Sequence, residues 1–486
     1  MKKIAVIALL ATLLAPVCAA DSFDPIRASI RKQLVDQAVP SLAVAVVKDG
    51  KIVWEEGFGW ANREKRVAAT PHTMYSLASI SKPITATGLM LLVKNGKLDL
   101  DRPVNDYLGR AKLRARVGDA ADATVRRVAN HSSGLPLHYQ FFYSDEPYRR
   151  PPMEETISRY GNLVTIPGEK YQYSNLGYGI LDYIISRLSG RSFEEYLRVE
   201  VFQPLGMTRT SVGIDPGLEP YAAERYGVDG LPIPFYDFDH PGGSAIYSSA
   251  HDLALFALFH LKAHLPEQKA ILSDEMIDAM HEFTVKTGKN SGYGIGFAIE
   301  DLPGGGRIVS HTGGMGGVAT TMRLVTSERL GIVVLCNAST SLPHRIADEI
   351  LQLMLPRLKL PARGSSPKLE SFSPPPELVG TWKGALHTYK EELPFTLRIL
   401  ESGDIHAQLA DQLKTLLNSV QFEDGYLTGR MNGDIGTEDA NRRPYLLSLS
   451  LKLRGDILNG AASAISLPGK RVGNALTQWV ELKKEP

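Results

Sequence analysis

Residues 361–376 read Pro-Ala-Arg-Gly-Ser-Ser-Pro-Lys-Leu-Glu-Ser-Phe-Ser-Pro-Pro-Pro. Proline removes a backbone donor, and glycine and serine favour turns, so this stretch neither continues a helix nor pairs inside a sheet. It reads as an extended linker that divides the 486 residues into parts folding around separate cores. Residues 21–360 mix strand-like and helix-like patterns, whereas residues 377–486 hold short β-type runs at 379–382, 395–400, 405–409, 426–430, 445–453 and 457–465. Arg454-Gly455-Asp456 joins the last two runs in hairpin fashion. About 100 residues suffice for an all-β barrel or sandwich, and the second part is expected to be one.

Within the first part, 42–47 is a continuous run of small and β-branched apolar residues, followed by Asp49-Gly50 and then Ile52-Val53-Trp54. Asp-Gly between two such runs predicts an antiparallel hairpin. The spacing changes to helical over 80–94, with Ile84, Leu89, Met90 and Leu92 apolar, Pro83 tolerated in the first turn and Asn95-Gly96 as the stop. Further helices are expected over 177–188, 192–201, 250–264, 273–281 and 343–358, and strands over 308–310, 319–325 and 331–335. Sheet at both ends with helices between is an α+β pattern whose sheet closes by pairing distant segments.

Residues 1–20 read as a cleavable secretory leader: Lys2 and Lys3, an apolar run over 4–14, Pro16, then the small residues Cys18, Ala19 and Ala20. The run is shorter than the ~20 residues that span a bilayer. A periplasmic or secreted protein that is not integral to the membrane is therefore expected. Lipidation at Cys18 is the lesser alternative, because the branched Val17 stands where that signal wants a small residue. Cleavage leaves Cys336 alone in an apolar strand-like run, with no internal disulfide and no assigned chemistry. Lys and Arg number 54 against 53 Asp and Glu, so no net field exists to attract nucleic acid.

A serine hydroxyl needs a base at neutral pH, and a lysine whose pKa is lowered can be that base. Ser79-Ile-Ser-Lys82 places a hydroxyl and an amine three residues apart at a helix start, where free backbone N–H groups can also stabilise an oxyanion. Alone the pattern is weak, and Ser365-Ser-Pro-Lys368 repeats it in the linker. Gly-x-Ser-x-Gly, His-Glu-x-x-His, Cys-x-x-Cys and a phosphate-cradling loop are all missing. Tyr173-Ser174-Asn175 follows a Pro-Gly turn, and His311-Thr312-Gly313 follows the strand expected at 308–310. Singly, Tyr173 reads equally well as packing, Asn175 as a helix cap and His311 as a satisfied strand residue.

In this order and spacing the three clusters resemble the Ser-x-x-Lys, Tyr-x-Asn and Lys/His-Thr-Gly elements of the penicillin-recognising serine hydrolases. That family includes class C β-lactamases, D-alanyl-D-alanine carboxypeptidases, D-aminopeptidases and β-lactamase-like esterases. The likeness runs from about Ile30 to Leu355 and includes Asn130-His-Ser-Ser-Gly-Leu-Pro136, Gly242-Gly-Ser-Ala-Ile-Tyr-Ser248 and Tyr293-Gly-Ile-Gly296. It implies that Ser79 is acylated and that Lys82 and Tyr173 share the proton transfers, with either one as the base. The oxyanion is then held by the backbone N–H groups of Ser79 and Gly314, while Asn175, Thr312 and Gly313 face the substrate and His138 is a further contact. His311 departs from the lysine usual in β-lactamases, which shifts the expectation toward D-amino-acid peptides, small esters or related amides.

The resemblance implies a β-lactamase-like fold: a central antiparallel sheet flanked by helices plus a helical subdomain, followed by a lipocalin-like barrel. The expected division is 1–20 leader, 21–360 hydrolase, 361–376 linker and 377–486 β-rich domain. The expected partner is a small-molecule or peptide substrate, including peptidoglycan fragments, with no metal or organic cofactor. The alternatives are a β-lactamase and a penicillin or peptidoglycan receptor acylated without turnover.

Overall fold

The computed structural model describes residues 22–303, 305–358 and 372–486. The expected leader, linker residues 361–371 and the second Ser-x-x-Lys match lie outside the described residues. Nine strands form an antiparallel sheet in the order Val285–Lys286, Ser291–Tyr293, Ala298–Asp301, Arg307–Met315, Val318–Val325, Leu330–Cys336, Ser41–Lys48, Lys51–Asn62 and Val67–Ala68. The sheet closes by long-range pairing, with Leu42 opposite Cys336. The Asp49-Gly50 turn is the expected tight hairpin: both residues have positive φ, 49° and 80°, and Lys48 pairs with Lys51.

The run at 42–47 lacks polar alternation because both of its faces are covered. Ala43, Ala45 and Val47 join the core that contains Phe256 and Ala257 of the helix Ala250–His260. Leu42, Val44 and Val46 join the core that contains Ile30 of the helix Asp24–Asp36 and Ile346 and Ile350 of the helix Leu342–Met354. The helix Ser81–Lys94 is buried from Ser81 through Leu92, and it packs on the helix Asn175–Ser189.

Helix ends differ from the sequence expectation by a turn or less. Ala250–His260 stops early, and Lys262 then takes a positive φ of 56°. The helix expected over 192–201 is α-helical only over Phe193–Leu197, continuing as a π-turn over Arg198–Phe202.

Nine strands of the second part form a nearly closed barrel, in the order Thr415–Leu416, Ile405–Leu409, Glu392–Ile399, Gly380–His387, Ala475–Lys484, Ile457–Ser466, Tyr445–Arg454, Tyr426–Met431 and Asn418–Glu423. All six expected runs lie on these strands to within one residue. Ala475–Lys484, in the middle of the order, was not anticipated. Thr477 is buried because the outer face of this strand docks on the first part, while Gln478 lies buried on the inner face with Leu476 and Val480, so neither face shows the polar-out alternation. There Tyr139 and Ala475 exchange both backbone hydrogen bonds, at 3.0 and 2.9 Å, and Thr477 Oγ1 donates to the Leu137 carbonyl at 2.5 Å.

Charged ties frame this contact. Glu169 accepts from Arg454 at 2.7 Å and from the Tyr426 hydroxyl at 3.0 Å. Glu146 accepts from Arg443 at 2.6 Å and Arg471 at 2.8 Å. Buried Asp439 accepts from the hydroxyls of Tyr160 and Tyr389. Among the described residues no helix is long and apolar enough to cross a membrane.

Candidate active site

Ser79 lies in a 3-10 turn, Ala78–Ile80, that runs into the helix Ser81–Lys94. Ala78 has φ +48°, a left-handed conformation that costs a non-glycine residue about 1–2 kcal/mol. Among residues 73–92 all are buried except Ser79, which is partly accessible. A strained turn that exposes one hydroxyl from an otherwise buried segment is a feature of functional sites.

Lys82 is fully buried, and its Nζ lies 3.1 Å from Ser79 Oγ. The amine donates to Asn175 Oδ1 at 2.7 Å and to the Gly243 carbonyl at 3.0 Å. Burial alone drives its pKa well below the ordinary 10.5, with no carboxylate among the described residues close enough to oppose it. When neutral, the amine spends two N–H bonds on those two carbonyls, which leaves its lone pair on the side of Ser79 Oγ.

Asn175 is the first residue of the helix Asn175–Ser189, and the cap reading for it is corrected. Ser174 caps this helix, its hydroxyl accepting from Gly177 N at 3.2 Å, so the Asn175 amide is free to reach Lys82. The Gly243 carbonyl is set by its neighbour: Gly242 N donates to buried Asp182 Oδ2 at 2.6 Å. Tyr173 lies beside both groups, with Lys82 Nζ 4.7 Å from the centre of its ring. Burial raises its phenol above the usual range, and a hydrogen bond with Ser79 pulls the other way.

On the strand Arg307–Met315, Thr312 and Gly314 are exposed while His311 and Gly313 are buried. A Cβ on Gly313 would run into the Leu77 carbonyl and Ala78, whereas Gly314 has open space around it. Gly313 therefore lets this strand close on the Ser79 turn. His311 Nδ1 lies 2.7 Å from the Thr312 carbonyl, which can only accept, so Nδ1 carries the hydrogen and Nε2 accepts from the Tyr293 hydroxyl at 2.8 Å. Burial, aided by Lys82, lowers the His311 pKa to about 3. At neutral pH this side chain is no cation.

His138 stands apart from the other expected site residues, and the substrate-contact expectation for it is corrected. It has no accessible surface, its Nε2 pairs with buried Asp239 at 2.5 Å, and its ring packs on Tyr160. The second Asp239 oxygen holds His240 Nδ1 at 2.6 Å.

Two groups at the site were quoted in the sequence only as supporting stretches. Tyr293 holds His311, and the buried His131 ring packs tilted against Tyr173 at 4.3 Å and edge-on to Tyr293 at 4.8 Å while its Nδ1 accepts from Ser174 N at 3.1 Å. His131 has φ +63°, an uncommon backbone for a non-glycine residue and one invisible in the sequence.

Glu55, His72 and His251 place metal-capable atoms within 4.8 Å of one another. They lie outside the Ser79 cluster, and His251 Nδ1 already pairs with Glu55 Oε2 at 2.8 Å.

The family model described as Beta-lactamase matches residues 26–354. Penicillin-binding protein 4* of Bacillus subtilis is 27% identical over 319 residues, covering 60% of this chain and 67% of that one. The chain spans about two thirds of the length of the curated relatives it matches. The octameric penicillin-binding protein homologue from Pyrococcus abyssi covers 94% of this chain and 99% of its own, with 24% identity and a TM-score of 0.59. A class C β-lactamase from Rhodobacter sphaeroides covers 69% of this chain and 98% of its own, with 22% identity and a TM-score of 0.57. Since the match takes in the Ser79 turn, the Tyr173 loop and the His311 strand together, the chain belongs to the beta-lactamase family of serine hydrolases.

Proposed function

We propose that the protein hydrolyses D-amino-acid peptides, small esters or related amides through an acyl-Ser79 intermediate. The observation that carries this reading is the buried, carboxylate-free Lys82 amine 3.1 Å from the accessible Ser79 hydroxyl. Lys82 Nζ takes the Ser79 proton as Oγ bonds to the substrate carbonyl carbon. The oxygen of the resulting tetrahedral adduct is held by the backbone N–H groups of Ser79 and Gly314. As the adduct collapses, the leaving group takes a proton through Tyr173, which Lys82 resupplies. Water then repeats the sequence, giving its proton to the Lys82–Tyr173 pair and releasing the acid and free Ser79. Asn175 orients Lys82 and offers its amide to the substrate.

A neutral His311 supplies no cation for a substrate carboxylate at that end of the groove, and so favours esters and amides, including D-amino-acid amides and end-blocked peptides, over β-lactams. The leader pattern over 1–20 supports work outside the cytoplasm, in the periplasm or beyond. Residues 21–360 would then be the hydrolase, 361–376 the tether and 377–486 the appended barrel.

The test is labelling with a fluorophosphonate and turnover of p-nitrophenyl esters and D-alanyl peptides. A mass increment on the Ser79 peptide, absent from Ser79→Ala, is expected. Ordinary turnover by Ser79→Ala refutes the assignment, and a stoichiometric burst without turnover on every substrate favours the receptor alternative.

A further inference from the structure

We propose that Glu55, His72 and His251 form a binding site for one divalent ion of the zinc class, and that the bound ion clamps residues 70–73 to the central sheet and to the helix Ala250–His260.

Three elements distant in sequence bring the ligands together. Glu55 stands in the strand Lys51–Asn62 opposite Ala45, whose side chain joins the core that contains Phe256 and Ala257. Residues directly opposite in an antiparallel pair share a face, so Glu55 leaves the sheet on the side of that helix. His251, the second residue of the helix, meets it there, and its Nδ1 donates to Glu55 Oε2 at 2.8 Å. His72 arrives from the turn that precedes the Ser79 segment, with its ring 4.7 Å from that of His251 and tilted by 52°. One ligand atom from each of the three lies within 4.8 Å of the other two.

Backbone contacts hold this arrangement. His251 N donates to the Pro71 carbonyl at 3.1 Å, which fixes the neighbour of His72 on the helix start. Thr70 N donates to Thr73 Oγ1 at 2.9 Å and Thr73 N to the Thr70 carbonyl at 3.1 Å, closing the turn that carries His72. A Cβ on Gly57, just beyond Glu55, would lie 2.5 Å from backbone atoms of Ala69 and Thr70, so this segment rests directly on the strand. Ser249 caps the helix, its hydroxyl accepting from Asp252 N at 3.0 Å. Ligands carried by a strand, a capped helix and a closed turn start near their binding positions.

The chemistry of the set selects the ion. Two imidazoles and a carboxylate suit Zn²⁺, whereas Mg²⁺ and Ca²⁺ take oxygen ligands. With metal–ligand lengths of about 2.0–2.2 Å, a tetrahedral site sets its ligand atoms roughly 3.3 Å apart. The 2.8 Å contact has only to open slightly. The hydrogen on His251 Nδ1 then passes to solvent, and the nitrogen lone pair and the carboxylate oxygen become ligands. An ion pair needs one imidazole. The second acts on Glu55 through its charge alone, and its place beside the pair is what a three-ligand site requires. His251 and Glu55 keep 30% and 28% of their side-chain surface and His72 is exposed, so the ion enters from solvent and water takes the remaining position. Residues 73–78, between His72 and Ser79, are all buried. The clamp therefore steadies the chain that enters the nucleophile turn without touching it.

The experiment uses the full chain without a histidine tag, stripped of metal with EDTA and dialysed. Calorimetric titration with Zn²⁺ and thermal unfolding are read for the parent, His72→Ala and Glu55→Gln, with Mg²⁺ as the comparison ion. The parent is expected to bind about one Zn²⁺ per chain, and Zn²⁺ at about 100 times its dissociation constant to raise Tm by about 2–5 °C. Mg²⁺ is expected to do neither. His72→Ala, at an exposed position where folding is not at risk, and Glu55→Gln, which keeps the side chain's size and one acceptor oxygen, are each expected to weaken Zn²⁺ binding by about 100-fold and to remove most of the Tm rise. No Zn²⁺ binding by the parent, binding of unchanged strength in either variant, or binding that leaves Tm where it was overturns the proposal.

Discussion

Replacing Lys82 by Met keeps an unbranched side chain of similar length in a fully buried site and removes only the amine. Two effects are separable. In the chemistry, loss of a positioned base is expected to slow Ser79 acylation by about 10²–10⁴-fold. In the fold, Asn175 Oδ1 and the Gly243 carbonyl lose the donor they now receive at 2.7 and 3.0 Å. Each buried acceptor left unpaired costs about 1–3 kcal/mol, opposed by relief from burying an amine at all, so a net loss of about 1–3 kcal/mol is expected. The assay is the rate of fluorophosphonate adduct formation followed by mass, beside thermal unfolding of the same sample.

The pH dependence of the unmutated protein supplies the sign. Burial lowers the Lys82 pKa, and in the proposed mechanism the neutral amine is the active form. Acylation therefore rises with pH, levels off above the folded-state pKa, and has its midpoint well below 10.5. Folding adds to this sense: the unfolded amine binds a proton more tightly, so the Lys82 contribution to stability grows as pH rises between the two pKa values. Acylation by Lys82→Met within tenfold of the parent, or a midpoint at the ordinary lysine value, refutes the reasoning.

Three further outcomes are expected. Gly313→Ala drives a methyl into the Leu77 carbonyl and Ala78 and should cost about 1–3 kcal/mol of stability along with most activity, whereas Gly314→Ala, in open space, should leave unfolding near the parent value; equal melting temperatures for the two would contradict the close approach. His311, with its pKa lowered to about 3, stays neutral from pH 5 to 8, so an activity limb near 6.5 that vanishes in His311→Gln would show that the ring titrates as an ordinary imidazole. Asp439→Ala strips the shared acceptor from the Tyr160 and Tyr389 hydroxyls between the barrel and the first part and should destabilise the chain by about 2–4 kcal/mol in denaturant unfolding.

Local signals carried much of the fold. The Asp49-Gly50 hairpin, the buried helix after Ser79 and six barrel strands were legible because turn chemistry and apolar spacing act over a few residues. Ala475–Lys484 was not, because docking against 137–139 buries Thr477 on its outer face while the polar Gln478 stands on the inner one, which removes the pattern that marks a strand. His138 misled for the opposite reason. Its place after the Gly-Leu-Pro turn suggested a contact, but Asp239, a hundred residues on, draws its ring inside.

By itself the sequence determined which residues could do chemistry: Ser79, Lys82, Tyr173, Asn175 and the His311 strand, recognisable by type, order and spacing. Tertiary structure alone decided their state. Everything packed around Lys82 buries its amine and so lowers its pKa, and burial likewise keeps His311 neutral, with the Thr312 carbonyl pulling the other way. The close approach of Val472 to Gly316 was equally out of reach, since it depends on how the barrel seats on the first part. Residue type sets which protonation states are available, and the dielectric and neighbours supplied by distant chain choose among them.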